Sequence, residues 1–305
     1  MDPNSRRSGR SPRSHPVPFG EVDHRRIKGI ATRGVRVLGQ KGELGPSILD
    51  DVVVEEPLEI RVAGDALAIT MRTPGHDEDL ALGFLFAEGI VSSAEDVGRI
   101  THCGRPGDEG YGNTVDVLPG AGAILDPDRL QSSRRGTLIT AACGVCGRRS
   151  IDDLLERLEP FEVQDPASPK VSVDVLRRCT EDLREEQPNF ARTGGVHAAS
   201  LLDREGRMLA VAEDVGRHNA VDKVVGALLR QERLDEAAVL VVSGRVSFEI
   251  VQKAAVARVP IVAAVSAPTS LAVDLADRLG LTLSGFVRQG RLNIYTHPGR
   301  LAGVD

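Results

Sequence analysis

Cys143-Gly144-Val145-Cys146 sets two thiols three residues apart, with Gly147 after the second and the pair Arg148-Arg149 following at once. Two thiols at this spacing can exchange a proton, close a disulfide, share a metal or pass on a sulfur atom, and nearby guanidiniums favour the reactive thiolate. The chain has four cysteines, and Cys103 and Cys179 stand alone. Residues 137–141 read as a short strand. Ser150-Ile151-Asp152-Asp153 reads as a capping box opening a helix with Ile151, Leu154, Leu155 and Leu158 on one face. The thiols are therefore expected in a loop just ahead of a helix start, where unpaired amides and the helix dipole stabilise an anion. A thiol there is expected to fall from about 8.5 toward neutrality.

Four uses of the pair stay open at this level. Structural zinc commonly takes four ligands from two paired motifs, and this chain supplies one pair, with His197 in Gly194-Gly195-Val196-His197 as the best further ligand. Strand, Cys-Gly-x-Cys, helix is also the local grammar of a thioredoxin-like dithiol. An incidental buried pair is the plainest reading, and the flanking glycines and arginines argue against it. A sulfur carrier is the fourth.

The surrounding chain must position these groups. With 305 residues, 41% of them hydrophobic, it can bury a full core and is expected to form two domains. A net charge of −6 and an absence of tryptophan argue against general nucleic-acid binding. No apolar run approaches the roughly 18 residues of a membrane span. Residues 1–25, rich in Arg, Ser, Pro and Gly, contain twin arginines without an apolar segment behind them, so they are expected to be a disordered tail rather than an export signal, with the protein cytoplasmic. The expected division is a β-rich subdomain over 26–136 and an α/β domain over 137–305.

In the first part, 52–54, 58–62 and 67–71 read as strands around an Ala63-Gly64-Asp65 turn. A helix then enters through His76-Asp77-Glu78-Asp79, carries Leu80, Phe84 and Leu85, and ends near Glu88-Gly89. Those acids suit either a metal or acid–base cluster, or the first turn of a helix. In the second part, 196–202 and 208–212 read as a hairpin, followed by a helix entered through Glu213-Asp214-Val215-Gly216-Arg217-His218-Asn219. On that helix His218 and Asp222, and Asn219 and Lys223, are one turn apart. They are expected either to meet a ligand together or to pair on a solvated face.

The remainder alternates: strand 239–242, helix from 248 to about 258, strand 261–265, helix 271–279, strand 281–283, then a hairpin over 285–296. In such β-α-β units ligands sit outside the carboxyl ends of the strands. Ser243-Gly244-Arg245 and Ser266-Ala267-Pro268-Thr269 fall there, each a small-residue loop at a helix start suited to phosphate. Neither is a P-loop or a dinucleotide fingerprint. Arg288 and Arg291 at the last hairpin turn are a solvated basic pair or a further phosphate clamp.

Taken in order, these motifs resemble the formate dehydrogenase accessory sulfurtransferase (FdhD) family over about residues 35–300. The resemblance rests on residues 140–147, 194–199, 213–223, Ser243-Gly244-Arg245, Ser266-Ala267-Pro268-Thr269 and Gly285-Phe286-Val287-Arg288. It implies a cytidine-deaminase-like three-layer α/β fold in the C-terminal part and an enzyme that takes sulfane sulfur from a cysteine desulfurase as a cysteine persulfide. The acceptor it implies is a bis(molybdopterin guanine dinucleotide) cofactor of molybdenum or tungsten that serves formate dehydrogenase. By the resemblance Cys143 is the persulfide-forming position and Cys146 its companion. Phe286, Val287, Arg288, Gln289, Gly290 and Arg291 belong to a segment that binds the guanine dinucleotide, with His218 and the two small-residue loops beside it. A deaminase needs zinc ligands and a Glu in a His-x-Glu and Pro-Cys-x-x-Cys pattern, which this sequence lacks, so no metal of its own is expected. A two-fold dimer is expected as the commonest assembly.

Overall fold

The computed structural model describes residues 29–105, 111–123, 125, 138–139, 158–162 and 170–304. The expected tail, Cys143, Cys146, Arg148, Arg149 and the helix expected from Ser150 lie outside the described residues.

β1 (Ile30–Leu38) and β2 (Leu44–Val53) form an antiparallel hairpin. β3 (Glu56–Val62) and β4 (Asp65–Arg72) form a second, closed by Ala63 and Gly64 at φ 51° and 87°, the left-handed pair that matches strand twist. Leu58, Ile60 and Val62 alternate inward from β3 onto α1 (Asp77–Ala87). α1 is apolar on nearly every side, as a helix enclosed on all sides must be. β5 (Val97–His102), β6 (Thr114–Pro119) and β7 (Leu138–Ile139) complete a sheet of order β5-β6-β3-β4-β7, with β7 parallel to β4. The strand that precedes the thiol pair in sequence thus belongs to this first sheet.

After β8 (Val171–Ser172) come α2 (Val173–Glu185) and α3 (Pro188–Thr193). The second sheet is built from β9 (His197–Leu202), β10 (Met208–Asp214), β11 (Val239–Val242), β12 (Ile261–Ala264), β13 (Thr282–Arg288) and β14 (Arg291–Thr296). α4 (Arg217–Arg230), α5 (Phe248–Val256) and α6 (Ser270–Arg278) connect them, and β15 (Leu301–Ala302) pairs with β8. The order is β10-β9-β11-β12-β13-β14, with β11, β12 and β13 parallel and antiparallel strands outside them. Leu240 and Val242 of β11 pack under α4, α5 and α6, while Val239 and Val241 pack on α2. The architecture is α+β, and the second half is a helix–sheet–helix sandwich, in agreement with the expected fold class.

Several expected boundaries move: the strand read over 52–54 is the end of β2, the one read over 208–212 runs on to Asp214, and two elements merge. The strand read over 281–283 and the hairpin read from 285 are a single strand, β13, because its polar residues are satisfied inside the sheet. Ser284 Oγ donates to the Val262 carbonyl at 3.2 Å and Thr282 Oγ1 to that of His297 at 2.6 Å.

The two halves are joined by the crossing of α1 and α4. A Cβ on Gly83 would stand 1.9 Å from the carbonyl oxygen of Asp222, and one on Gly226 2.0 Å from that of Asp79. Only glycine fits at either position, and the backbones touch there. Beside the crossing runs a buried polar network. Lys223 Nζ meets Asp214 Oδ2 at 2.7 Å and donates to the Thr73 carbonyl at 2.9 Å, while Asn219 donates to the Met71 carbonyl at 2.8 Å and accepts from Thr70 Oγ1 at 3.1 Å. Asp214 also accepts from the Thr73 and Gly216 amides. Buried polar groups cost several kcal/mol unless paired, so this network is stable only with both halves in place.

Candidate functional site

Parallel strands end at one rim, and three loops meet there. Residues 243–247 follow β11, 265–269 follow β12, and Gln289-Gly290 turns β13 into β14. Backbone bonds tie them into one surface: Val246 N to Ala267 O at 3.2 Å, Thr269 N to Val246 O at 2.9 Å, and Phe286 N to Ser266 O at 3.2 Å. β9 runs antiparallel to β11, so its first residue, His197, reaches the same rim. Ser243 joins that edge, its Oγ accepting from the Ala198 amide at 2.9 Å.

The rim is cationic. A Cβ on Gly244 would lie 3.3 Å from His197 Nδ1 and 3.6 Å from Arg217 Cδ, so the bare backbone at Gly244 lies against both side chains. Burial, with Arg217 and Arg245 nearby, holds His197 below its ordinary value. Burial and Arg245 also lower Arg217, whose Nε is buried with no hydrogen-bond partner among the described residues. A buried guanidinium donor left unpaired beside a like charge is a place where an anion is stabilising. Further along β13, Phe286 is 37% exposed at φ 53°, with the Arg288 guanidinium 6.0 Å from its ring centre. Such a cation–aromatic pair offers a flat face on which a planar base can stack. Arg288 and Arg291 stand opposite each other across the hairpin, Val287 is buried in the sheet, and the Gln289 amide donates to Glu181 at 2.9 Å.

The polar cluster at the α4 entrance is neither a solvated face nor an open one. His218, Asn219, Asp222 and Lys223 are all buried, since α4 is covered by β4 on one side and α5 on the other. Glu213 caps α3, accepting from the Asn189 and Phe190 amides at 2.9 and 2.8 Å. Asp222 receives Lys253 Nζ at 2.7 and 2.9 Å. Burial pushes the Asp222 carboxyl up to about 7 against this lysine. Lys253 is held above its ordinary value: burial works against it, and Asp222 and Glu249 overcome it. His218 Nε2 lies 3.0 Å from Ser247 Oγ.

The acids near His76 are likewise engaged by structural pairs. Asp77 accepts from Arg72 Nε and a terminal nitrogen at 2.9 and 3.1 Å, and Asp79 pairs with Arg230 at 2.8 Å. Among the described residues no group of three or more His, Cys, Asp or Glu could hold a metal ion, and no helix is long and apolar enough to cross a membrane.

Sequence reasoning overlooked Glu249 and gave Ser247 no role. Ser247 stands at the N-cap of α5 yet makes no cap bond, unlike Thr269, whose Oγ1 accepts from Ala272 N at 3.3 Å at the start of α6. A cap bond and a serine–imidazole bond are each worth about 1 kcal/mol, so the turn of the hydroxyl toward His218 is close to neutral. In sequence Ser247 looks like an ordinary cap, and only the tertiary partner distinguishes it.

Ile139, four residues before Cys143 in sequence, pairs with Thr70 of β4, which hydrogen-bonds Asn219 at the entrance of α4. The strand that leads toward the thiols and the helix that supplies Arg217 are therefore held together.

Comparison with known proteins adds the following. The model of the FdhD/NarQ family matches residues 53–302. A protein of Anaeromyxobacter dehalogenans named sulfur carrier protein FdhD is 58% identical over 264 residues, covering 84% of this chain and 90% of the relative. One of the same name from Mycolicibacterium paratuberculosis is 48% identical over 257 residues, covering 83% and 92%. In fold, the chain is similar to the crystal structure of a putative formate dehydrogenase accessory protein from Desulfotalea psychrophila, with a TM-score of 0.70 and 24% identity over 90% of this chain and all of that one.

Proposed function

The chain belongs to the FdhD/NarQ family, and from that premise we propose that it is a cytoplasmic sulfur carrier acting through a cysteine persulfide. In this reading Cys143, as thiolate, attacks the outer sulfur of a persulfide on a cysteine desulfurase. A sulfur–sulfur bond forms on Cys143, the donor's bond breaks, and the donor cysteine leaves as thiolate. Cys146 then relays the sulfur or resolves a mixed species. The acceptor is a bis(molybdopterin guanine dinucleotide) cofactor of molybdenum or tungsten, bound as substrate and destined for formate dehydrogenase.

The observation that carries the acceptor is the cationic rim. Arg217, whose buried Nε has no partner among the described residues, and Arg245 have the charge that phosphates require, and His197 beside them adds a ring donor. The exposed Phe286 and Arg288 pair suits a guanine face. The pairing of β7 with β4 supports delivery of sulfur to the same end of the molecule.

The test is intact-mass spectrometry after incubation with a cysteine desulfurase and cysteine. One added sulfur atom, released by reductant and absent in Cys143→Ala, is the expected result. No added sulfur, with disulfide reduction that needs no desulfurase, would replace this reading with a dithiol oxidoreductase.

A further inference from the structure

Apart from the thiols, the end of loop 243–247 and the first turns of α4 and α5 hold a second set of groups arranged for covalent chemistry. Ser247 Oγ lies 3.0 Å from Nε2 of His218, and Nδ1 of the same ring lies 3.5 Å from Glu249 Oε2. A hydroxyl on one ring nitrogen and a carboxylate on the other is the disposition in which imidazole removes a serine proton while the acid fixes its tautomer and stabilises the imidazolium. Exposure is graded to match, with His218 buried and Ser247 half-buried at the rim. The other oxygen of Glu249 is held by Lys253, 3.6 Å away on the next turn. The equivalent position in the neighbouring β-α unit provides an internal control. Loops 243–247 and 265–269 are bridged at Val246 and Pro268, yet Thr269 caps its own helix and Ser247 does not.

We propose that Ser247 is an activated nucleophile, with His218 as its base and Glu249 as the positioning residue, in a site for small anionic esters or thioesters. Charge selects the substrate class: the Arg217 side chain lies against Gly244, three residues before Ser247, and Arg245 follows it in the same loop. In the reaction Ser247 Oγ bonds to the acyl carbon and its proton passes to His218 Nε2. The bond to the leaving oxygen or sulfur breaks, and His218 protonates that group. Water, deprotonated by His218, then cleaves the acyl-serine to a carboxylate and regenerates the hydroxyl. Water is the only co-reactant.

The experiment is reaction of the wild-type protein with a fluorophosphonate, in which a serine oxygen–phosphorus bond replaces phosphorus–fluorine. One adduct per chain is expected, mapped to the peptide containing Ser247 and absent in Ser247→Ala. His218→Gln should label at least a hundredfold more slowly. Glu249→Gln should label about tenfold more slowly, with the pH midpoint of labelling shifted downward, because loss of the carboxylate disfavours the imidazolium. No adduct on the wild type, or one that survives in Ser247→Ala, overturns the nucleophile. An unmoved pH midpoint in Glu249→Gln overturns the role of the acid. Mono-p-nitrophenyl succinate should turn over faster than p-nitrophenyl acetate, and equal rates overturn the preference for anions. None of these readouts involves a cysteine or a desulfurase, so their outcome is separate from that of the sulfur-carrier reading.

Discussion

α4 presents polar residues on two neighbouring faces, and the two faces are put to different use. Asn219, Lys223 and Gly226 meet β4 and α1, where the donors and acceptors are matched within the protein and the backbones touch at Gly83. His218 and Asp222 meet α5, where the chain of partners runs from Asp222 through Lys253 and Glu249 to His218 and the half-buried Ser247 hydroxyl at the rim. The first face closes on itself and acts as a scaffold. The second ends at the surface, where its last member can meet a substrate. Buried polar residues on one helix thus differ in role according to where their hydrogen bonds terminate.

Substitutions at the crossing should break the first face outright. Gly226→Ala or Gly83→Ala forces a methyl group into a carbonyl oxygen, and a loss of more than about 4 kcal/mol is expected. A thermal melt within a few degrees of wild type would show that the helices can part at low cost. Next in size, Lys223→Met leaves Asp214 buried without its cation and should cost about 3–5 kcal/mol in urea unfolding.

The second face is sharpened by pH. The folded Asp222 carboxyl, raised from 3.8 to about 7, binds its proton more tightly than in the unfolded chain. Its contribution is fully present below pH 3.8 and is lost as pH rises through about 7. Wild type should therefore lose stability relative to Asp222→Asn between about pH 4 and 7, measured as urea midpoints, and parallel curves would contradict this assignment.

Smaller effects belong to the rim, where stability should hardly change. Arg217→Ala is expected to weaken binding of GDP about tenfold or more by calorimetry, with the melting temperature nearly unmoved. Affinity for a dinucleotide pyrophosphate should rise as pH falls through the range in which His197 takes up its proton. The anion relieves the repulsion that Arg217 and Arg245 impose on His197, so binding takes up a proton. His197→Gln should abolish that uptake in buffers of different ionisation enthalpy.

Much of the fold was legible in the chain. Four-residue apolar runs such as 239–242 and 261–264 are long enough only for buried strands, and Ala63-Gly64 marks a hairpin. β13 was cut short because Thr282 and Ser284 look like a strand end until their carbonyl partners, His297 just past β14 and Val262 on β12, are known. β1, β5, β6, α2 and α3 went unread: β1 alternates weakly, and the N-terminus of α3 is capped by Glu213 from more than twenty residues away. At the site, the small-residue loops after apolar strands were visible as candidates. Their union at one rim follows from sheet order, which periodicity does not encode. Lys253 and Asp222, 31 residues apart, carry no mutual signal at all.

The bond between Thr70 and Asn219 spans 149 residues of chain. At synthesis rates of about 5–20 residues per second, the first sheet waits on the order of ten seconds for the helix that completes it. During that interval Leu80, Leu82 and Leu85 have no second wall. The nascent chain is then most open to misassociation, and the α1–α4 crossing is the step that ends that exposure.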